Sequence, residues 1–119
     1  MPQPSGQYVI LHHTGFGDEH WDLMLERGQL LATWQLLENP QPLLTGDATG
    51  SIPARRIGDH RRAYLTYEGP VSNDRGEVAR IAAGRYETVE DTADGWRFRM
   101  GGGVFSVGAV GDGRFQRLA

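Results

Sequence analysis

His20-Trp21-Asp22-Leu23-Met24-Leu25-Glu26 alternates between two kinds of side chain. Trp21, Leu23 and Leu25 are apolar; His20, Asp22, Met24 and Glu26 stand between and around them. Successive side chains of a strand point to opposite faces. The stretch therefore predicts a half-buried β-strand over 20–26, with one face toward a core and an imidazole and a carboxylate on the other. At about 3.3 Å rise per residue, His20 and Asp22 stand about 6.5–7 Å apart along that face, so their side chains can converge on one ion or one substrate group.

Working outward, Tyr8-Val9-Ile10-Leu11 is a β-type run that delivers His12 and His13 to its end, and residues 14–19 form a Gly-containing loop. Arg27-Gly28 is a turn, and Gln29 to Leu37 reads as a strand that closes a hairpin with 20–26. Pro40, Pro42 and Pro53 punctuate a segment read as a long irregular loop over 38–53, with at most one helical turn. Further strands are expected over 61–68, 77–81, 85–90, 96–100, 104–110 and 114–118. The pair 77–81 and 85–90 is read as a hairpin across Ala82-Ala83-Gly84. Gly101-Gly102-Gly103 has no Lys-Ser/Thr after it and is a turn rather than a phosphate loop. Many short strands with regular turn signals predict a compact single-domain all-β fold, a β-barrel or a sandwich of short antiparallel strands, with one long irregular loop. The domain is expected to span 1–119, with residues 1–6 a frayed leader.

Composition narrows the chemistry. There is no cysteine, so disulfides and thiolate metal sites are excluded and any metal must bind through nitrogen and oxygen. A net charge of −3 argues against a strong non-specific nucleic-acid binder. All twelve basic residues are arginine, and Arg55, Arg56, Arg61 and Arg62 flank His60. Arginine forks well onto phosphate, and a local basic patch can exist on an acidic protein. No apolar run reaches membrane-span length and the start does not resemble a signal peptide, so a cytoplasmic location is expected.

The four histidines fall in two short stretches, His12-His13…His20 and Asp59-His60. A histidine, a carboxylate and a second distant histidine suit a first-row divalent metal with open positions. The competing reading is that His20 and Asp22 are the solvent face of an ordinary antiparallel strand.

Tyr8-Val9-Ile10-Leu11-His12-His13, then His20-Trp21-Asp22-Leu23-Met24-Leu25-Glu26, then Trp34, then Asp59-His60-Arg61-Arg62-Ala63-Tyr64-Leu65-Thr66-Tyr67-Glu68-Gly69 resembles the 3′-phosphoesterase module of bacterial DNA ligase D. That family carries a strand ending in His, an H-x-D-x-R-L-E strand and a D-H-x-x-x-Y-x-x-[FY]-E-G segment. Order and spacing match over the N-terminal two-thirds. The resemblance implies a β-barrel that binds manganese or another divalent first-row metal and removes 3′-terminal phosphates and 3′-ribonucleosides from DNA ends during repair. Carried over by position, it implies His13, Asp22 and His60 as metal ligands, with His12 the alternative to His13. It implies His20 and Tyr64 as catalytic groups at the scissile phosphate. The expected partners are DNA or RNA/DNA 3′ ends, with a ligase or polymerase acting in trans and no membrane.

Three family positions depart from the pattern. Met24 stands where the family has an arginine, Glu38 where it has a lysine, and Ile52 where it has a second arginine. Arg55, Arg56 and Arg62 are the candidate replacements as phosphate binders. The same departures motivate an alternative: a non-catalytic, metal-dependent module that binds a nucleic-acid end or a repair partner.

Overall fold

The fold is known from a computed structural model that describes residues 5–46 and 49–119. The alternating stretch is β2 (His20–Arg27), between β1 (Ser5–Thr14) and β3 (Leu30–Leu36). Tyr8 faces Leu25 and His13 faces His20 in the β1–β2 register; Trp21 faces Leu36 in β2–β3. A five-residue helix, α1 (Gln41–Thr45), leads to β4 (Gly50–Arg61). β5 (Gly69–Pro70), β6 (Glu77–Asp91), β7 (Gly95–Met100), β8 (Gly103–Gly108) and β9 (Asp112–Arg117) complete the chain.

All pairings are antiparallel. The order β1-β2-β3-β4-β9-β8-β7-β6 closes on itself through β6–β1, giving an eight-stranded barrel, and β5 adds outside it on β6. Closure removes the exposed sheet edges that a set of strands would otherwise leave for aggregation. The barrel interior takes the apolar face of each strand: Ile10, Leu23, Leu25, Trp34, Tyr86, Phe98, Phe105 and Phe115 are among its buried residues.

A second apolar cluster lies on the outer face of β1–β3. Val9, Leu11, Met24 and Leu31, joined by Val78 of β6, point away from the interior set and are covered by Leu65 and Val71. The cover comes from residues 62–76, which carry the chain from β4 to β6. The outer face therefore has an apolar half under this arm and a polar half with His13, His20 and Asp22.

Several sequence expectations are corrected. Residues 1–4 lie outside the described residues, whereas Ser5 and Gly6, read as leader, open β1 and pair with Glu87 and Tyr86 of β6. The irregular loop over 38–53 is shorter than expected, because Gly50–Pro53 already belong to β4 and pair with β9. Not all strands are short. Glu77–Asp91 is one fifteen-residue strand, not a hairpin. Gly84 does not turn the chain; it gives space, since a Cβ there would meet the Tyr8 ring at 3.1 Å. The strand expected over 61–68 is instead a 3₁₀ turn at Arg62–Leu65. A strand would send Tyr64 and Leu65 to opposite faces, whereas the turn lets both pack on the outer cluster.

Candidate metal centre

β1 and β2 present the centre as neighbours in register. His13 and His20 are directly opposed, and Asp22 is two residues further along β2, on the same face. The loop between the strands contains Gly15 (φ +82°) and Gly17 (φ +67°), both in the left-handed region that glycine tolerates. His13 Nδ1 is 3.4 Å from Asp22 Oδ2, and His20 Nε2 is 3.3 Å from Asp22 Oδ1. One ligand atom from each of the three lies within 4.8 Å of the other two. The imidazole centroids of His13 and His20 are 4.7 Å apart.

The second nitrogen of each ring is tied down. His13 Nε2–H donates to the Arg75 carbonyl at 2.7 Å, and His20 Nδ1–H donates to the Asp18 carbonyl at 3.0 Å. A carbonyl can only accept, so these bonds fix both tautomers. In the neutral rings, His13 Nδ1 and His20 Nε2 then aim lone pairs at a carboxylate. Asp22 is 4 % exposed, and its Oδ1 is buried without a hydrogen-bond partner. Three electron-rich atoms facing one another in a buried place need a positive charge between them. A proton is one solution: the hydrogen bond that protonated His20 can give Asp22 raises the His20 pKa, burial works against it, and the Asp18 carbonyl and the Asp22 charge add to the rise. A divalent ion is the other. Two imidazoles and one carboxylate, each imidazole backed by a carbonyl, are a donor set that fits it.

His12 is not part of this group. It faces the barrel side of β1, stacks on Trp21 at 4.8 Å and bonds Glu19 at 2.6 Å. His60 is not part of it either, so the expected trio of His13, Asp22 and His60 is not the one the fold brings to ligand distance; His20 holds the third place among the described residues. His60 lines the same cavity, of about 500 Å³, together with His13, His20, Asp22 and Tyr64. It reaches that face through a β-bulge: Thr33 pairs with Ile57 and Leu31 with His60, so two residues of β4 oppose one of β3. Without the extra residue, Ile57 and His60 would point to opposite faces. His60 Nδ1–H donates to the Gly58 carbonyl at 3.0 Å, which leaves Nε2 as the ring's acceptor. Tyr64 stands edge-on to His60, centroids 5.7 Å apart.

The three arginines expected at the phosphate are engaged elsewhere. Arg55 pairs with Asp112 at 2.8 Å on the β9 side. Arg56 lies 4.8 Å over the Trp34 ring and pairs with Asp59 at 2.9 Å. Arg62 pairs with Glu26. Arg61 and Arg75 line the cavity instead, as does the half-exposed Phe16 beside His13. Arg61 had a sequence signal, its place directly after His60 in the arginine cluster. Arg75 had no local signal, because the 62–76 arm brings it from far along the chain.

No protein-family model matches this chain, and no curated protein matches it.

Proposed function

We propose that the chain is a divalent-metal-dependent phosphoesterase that processes 3′ ends of nucleic acid. The observation that carries this reading is the convergence of His13, His20 and Asp22, each imidazole held by a backbone carbonyl, on a buried carboxylate oxygen that lacks a partner. Manganese or another first-row divalent ion, held by these three, would act as a Lewis acid on a phosphoryl oxygen. His60 then has a separate task. Nδ1–H stays fixed on the Gly58 carbonyl, so the imidazolium form of His60 would give its Nε2 proton to the leaving 3′-oxygen as water attacks phosphorus, and Nε2 would regain a proton from the released phosphate. The Tyr64 hydroxyl can donate to a phosphoryl oxygen, and Arg75 supplies positive charge on the cavity wall. Met24, Ile57, Val71 and Val78 give the cavity an apolar wall, beside polar Gln35 and Asp59. The test is phosphate release from a 3′-phosphate primer-template with Mn²⁺. Wild type should release phosphate and Asp22→Asn should not; no release by wild type, with or without metal, overturns the reading.

A second reading is favoured by one observation. At the family's basic positions, Met24 is 1 % exposed within the outer cluster and Ile52 is 7 % exposed within the barrel core. Neither position can offer a charge to phosphate. A module that binds an end without cleaving it would show metal-dependent binding and no turnover.

A further inference from the structure

The metal-centre cavity opens beside a second cleft of about 320 Å³. Arg61, Tyr64 and Val71 line both, so the two are contiguous. The second cleft adds Tyr67 and Pro70. Tyr67 is 39 % exposed, and its ring is set by two contacts: the hydroxyl donates to the Pro70 carbonyl, and the ring stands perpendicular to Tyr64 with centroids 5.9 Å apart. Gly69, at φ +124°, lets the chain fold back under it; a Cβ there would touch the Tyr67 hydroxyl at 3.4 Å. Arg61 is exposed and makes no ion pair among the described residues, unlike Arg55, Arg56 and Arg62.

We infer that this cleft is the subsite for the terminal nucleotide of a single-stranded or frayed 3′ end. The inference rests on the phosphoesterase reading for the position of the terminal phosphate. With that phosphate in the first cavity, the attached base leaves the stack and lies against the Tyr67 ring. Arg61, on the shared rim, pairs with the phosphodiester on the 5′ side. A base of any identity can stack on a tyrosine, so the subsite recognises an end rather than a sequence. The net charge of −3 agrees with so local a contact, since a chain that followed a long backbone would need a broad basic face.

The experiment is fluorescence anisotropy of a labelled single-stranded oligonucleotide ending in a 3′-phosphate, with Mn²⁺, over a range of salt. Tyr67→Ala should weaken binding about tenfold, the scale of one base stacked on an aromatic ring, and Tyr67→Phe should bind like wild type. Arg61→Ala should weaken binding and reduce the slope of log affinity against log salt by about 0.7, the value for one phosphate on a single strand. Ala63→Glu, at an exposed position lining the cleft, should also weaken binding without removing any packed side chain. Arg114→Ala, on β9 and bonded to Ser51, should change nothing. No binding by wild type, or equal binding by wild type, Tyr67→Ala, Arg61→Ala and Ala63→Glu, overturns the subsite. Failure of phosphate release alongside the expected binding pattern would instead sink only the hydrolase reading.

Discussion

His13 and His20 oppose each other across the β1–β2 register, and each turns its one untied nitrogen toward Asp22. His60 reaches the same cavity from β4 but stands outside this trio. The two positions should separate experimentally. Mn²⁺ at about a hundred times its Kd would stabilise the native state by about 2.7 kcal/mol, or roughly 10 °C in Tm. His20→Ala and Asp22→Asn should lose that shift. His60→Ala should keep it and lose phosphate release by about 10²–10⁴-fold, the range for a general acid. Loss of the Mn²⁺ shift in His60→Ala would return His60 to the ligand set expected from sequence.

Glu26 gives the fold a pH dependence away from the centre. Its Oε1 accepts the Gln7 N–H at 3.0 Å, and its Oε2 pairs with Arg62. The Gln7 bond first, and then Arg62, hold its pKa below the ordinary 4.5 against the opposing effect of burial. A depressed carboxyl stabilises the fold above its unfolded pKa, and that stability is lost as pH falls through the folded value. Glu26→Gln should therefore cost about 1–2 kcal/mol at neutral pH, the scale of a hydrogen bond to a charged group. The difference from wild type should close below about pH 4.5. Urea melts across pH 3–7 measure it, and a gap that is constant with pH would rule out the carboxylate as its source.

Leu65 ties the arm to the barrel. It is 9 % exposed and packs on the outer cluster with Val9, Leu11, Met24 and Leu31. Leu65→Ala should cost about 2–4 kcal/mol, as for other leucines truncated in a packed site. Hydrogen exchange should rise in 62–76 before it rises in the strands of the barrel. Uniform acceleration over the whole chain would show that the arm and barrel open together.

Much of this was legible in the sequence, for a physical reason. Period-two alternation in 20–26 is local, so it fixed both the core face of β2 and the shared face of His20 and Asp22. An all-β architecture followed from the density of strands and turns, which left barrel and sandwich open; closure depends on the β1–β6 pairing, a contact distant in sequence. What was not legible depends on contacts distant in sequence. The bulge opposite Ala32 decides which face His60 takes, and only the pairing of β3 with β4 reveals it. Whether an arginine is free or engaged depends on partners such as Asp112 for Arg55 and Glu26 for Arg62. Alternation in 61–68 imitated a strand, yet the demand to bury Leu65 and Tyr64 on one surface won.

Gly76 connects the arm to the group formed by His13, His20 and Asp22. It sits at φ +79°, and a Cβ there would lie 2.0 Å from the Thr14 carbonyl oxygen, a backbone atom that cannot swing aside. Its own carbonyl accepts the Val71 N–H at 2.8 Å, closing the turn over 71–76. The preceding residue, Arg75, supplies the carbonyl that orients His13. Gly76→Ala must therefore push the turn away from the end of β1 and take the Arg75 carbonyl with it. Two effects should appear together. Stability should fall by about 1–3 kcal/mol from the unfavourable φ alone, and Mn²⁺ affinity should fall about 10–100-fold, as for other groups that orient a ligating histidine. Gly17→Ala is the matched control: it carries a similar φ of +67°, but a Cβ there would meet nothing within 4 Å. It should share the loss of stability and keep the metal affinity. Calorimetric titration of both variants with Mn²⁺ decides the point, and equal affinities would mean that the Arg75 carbonyl does not hold His13 in place.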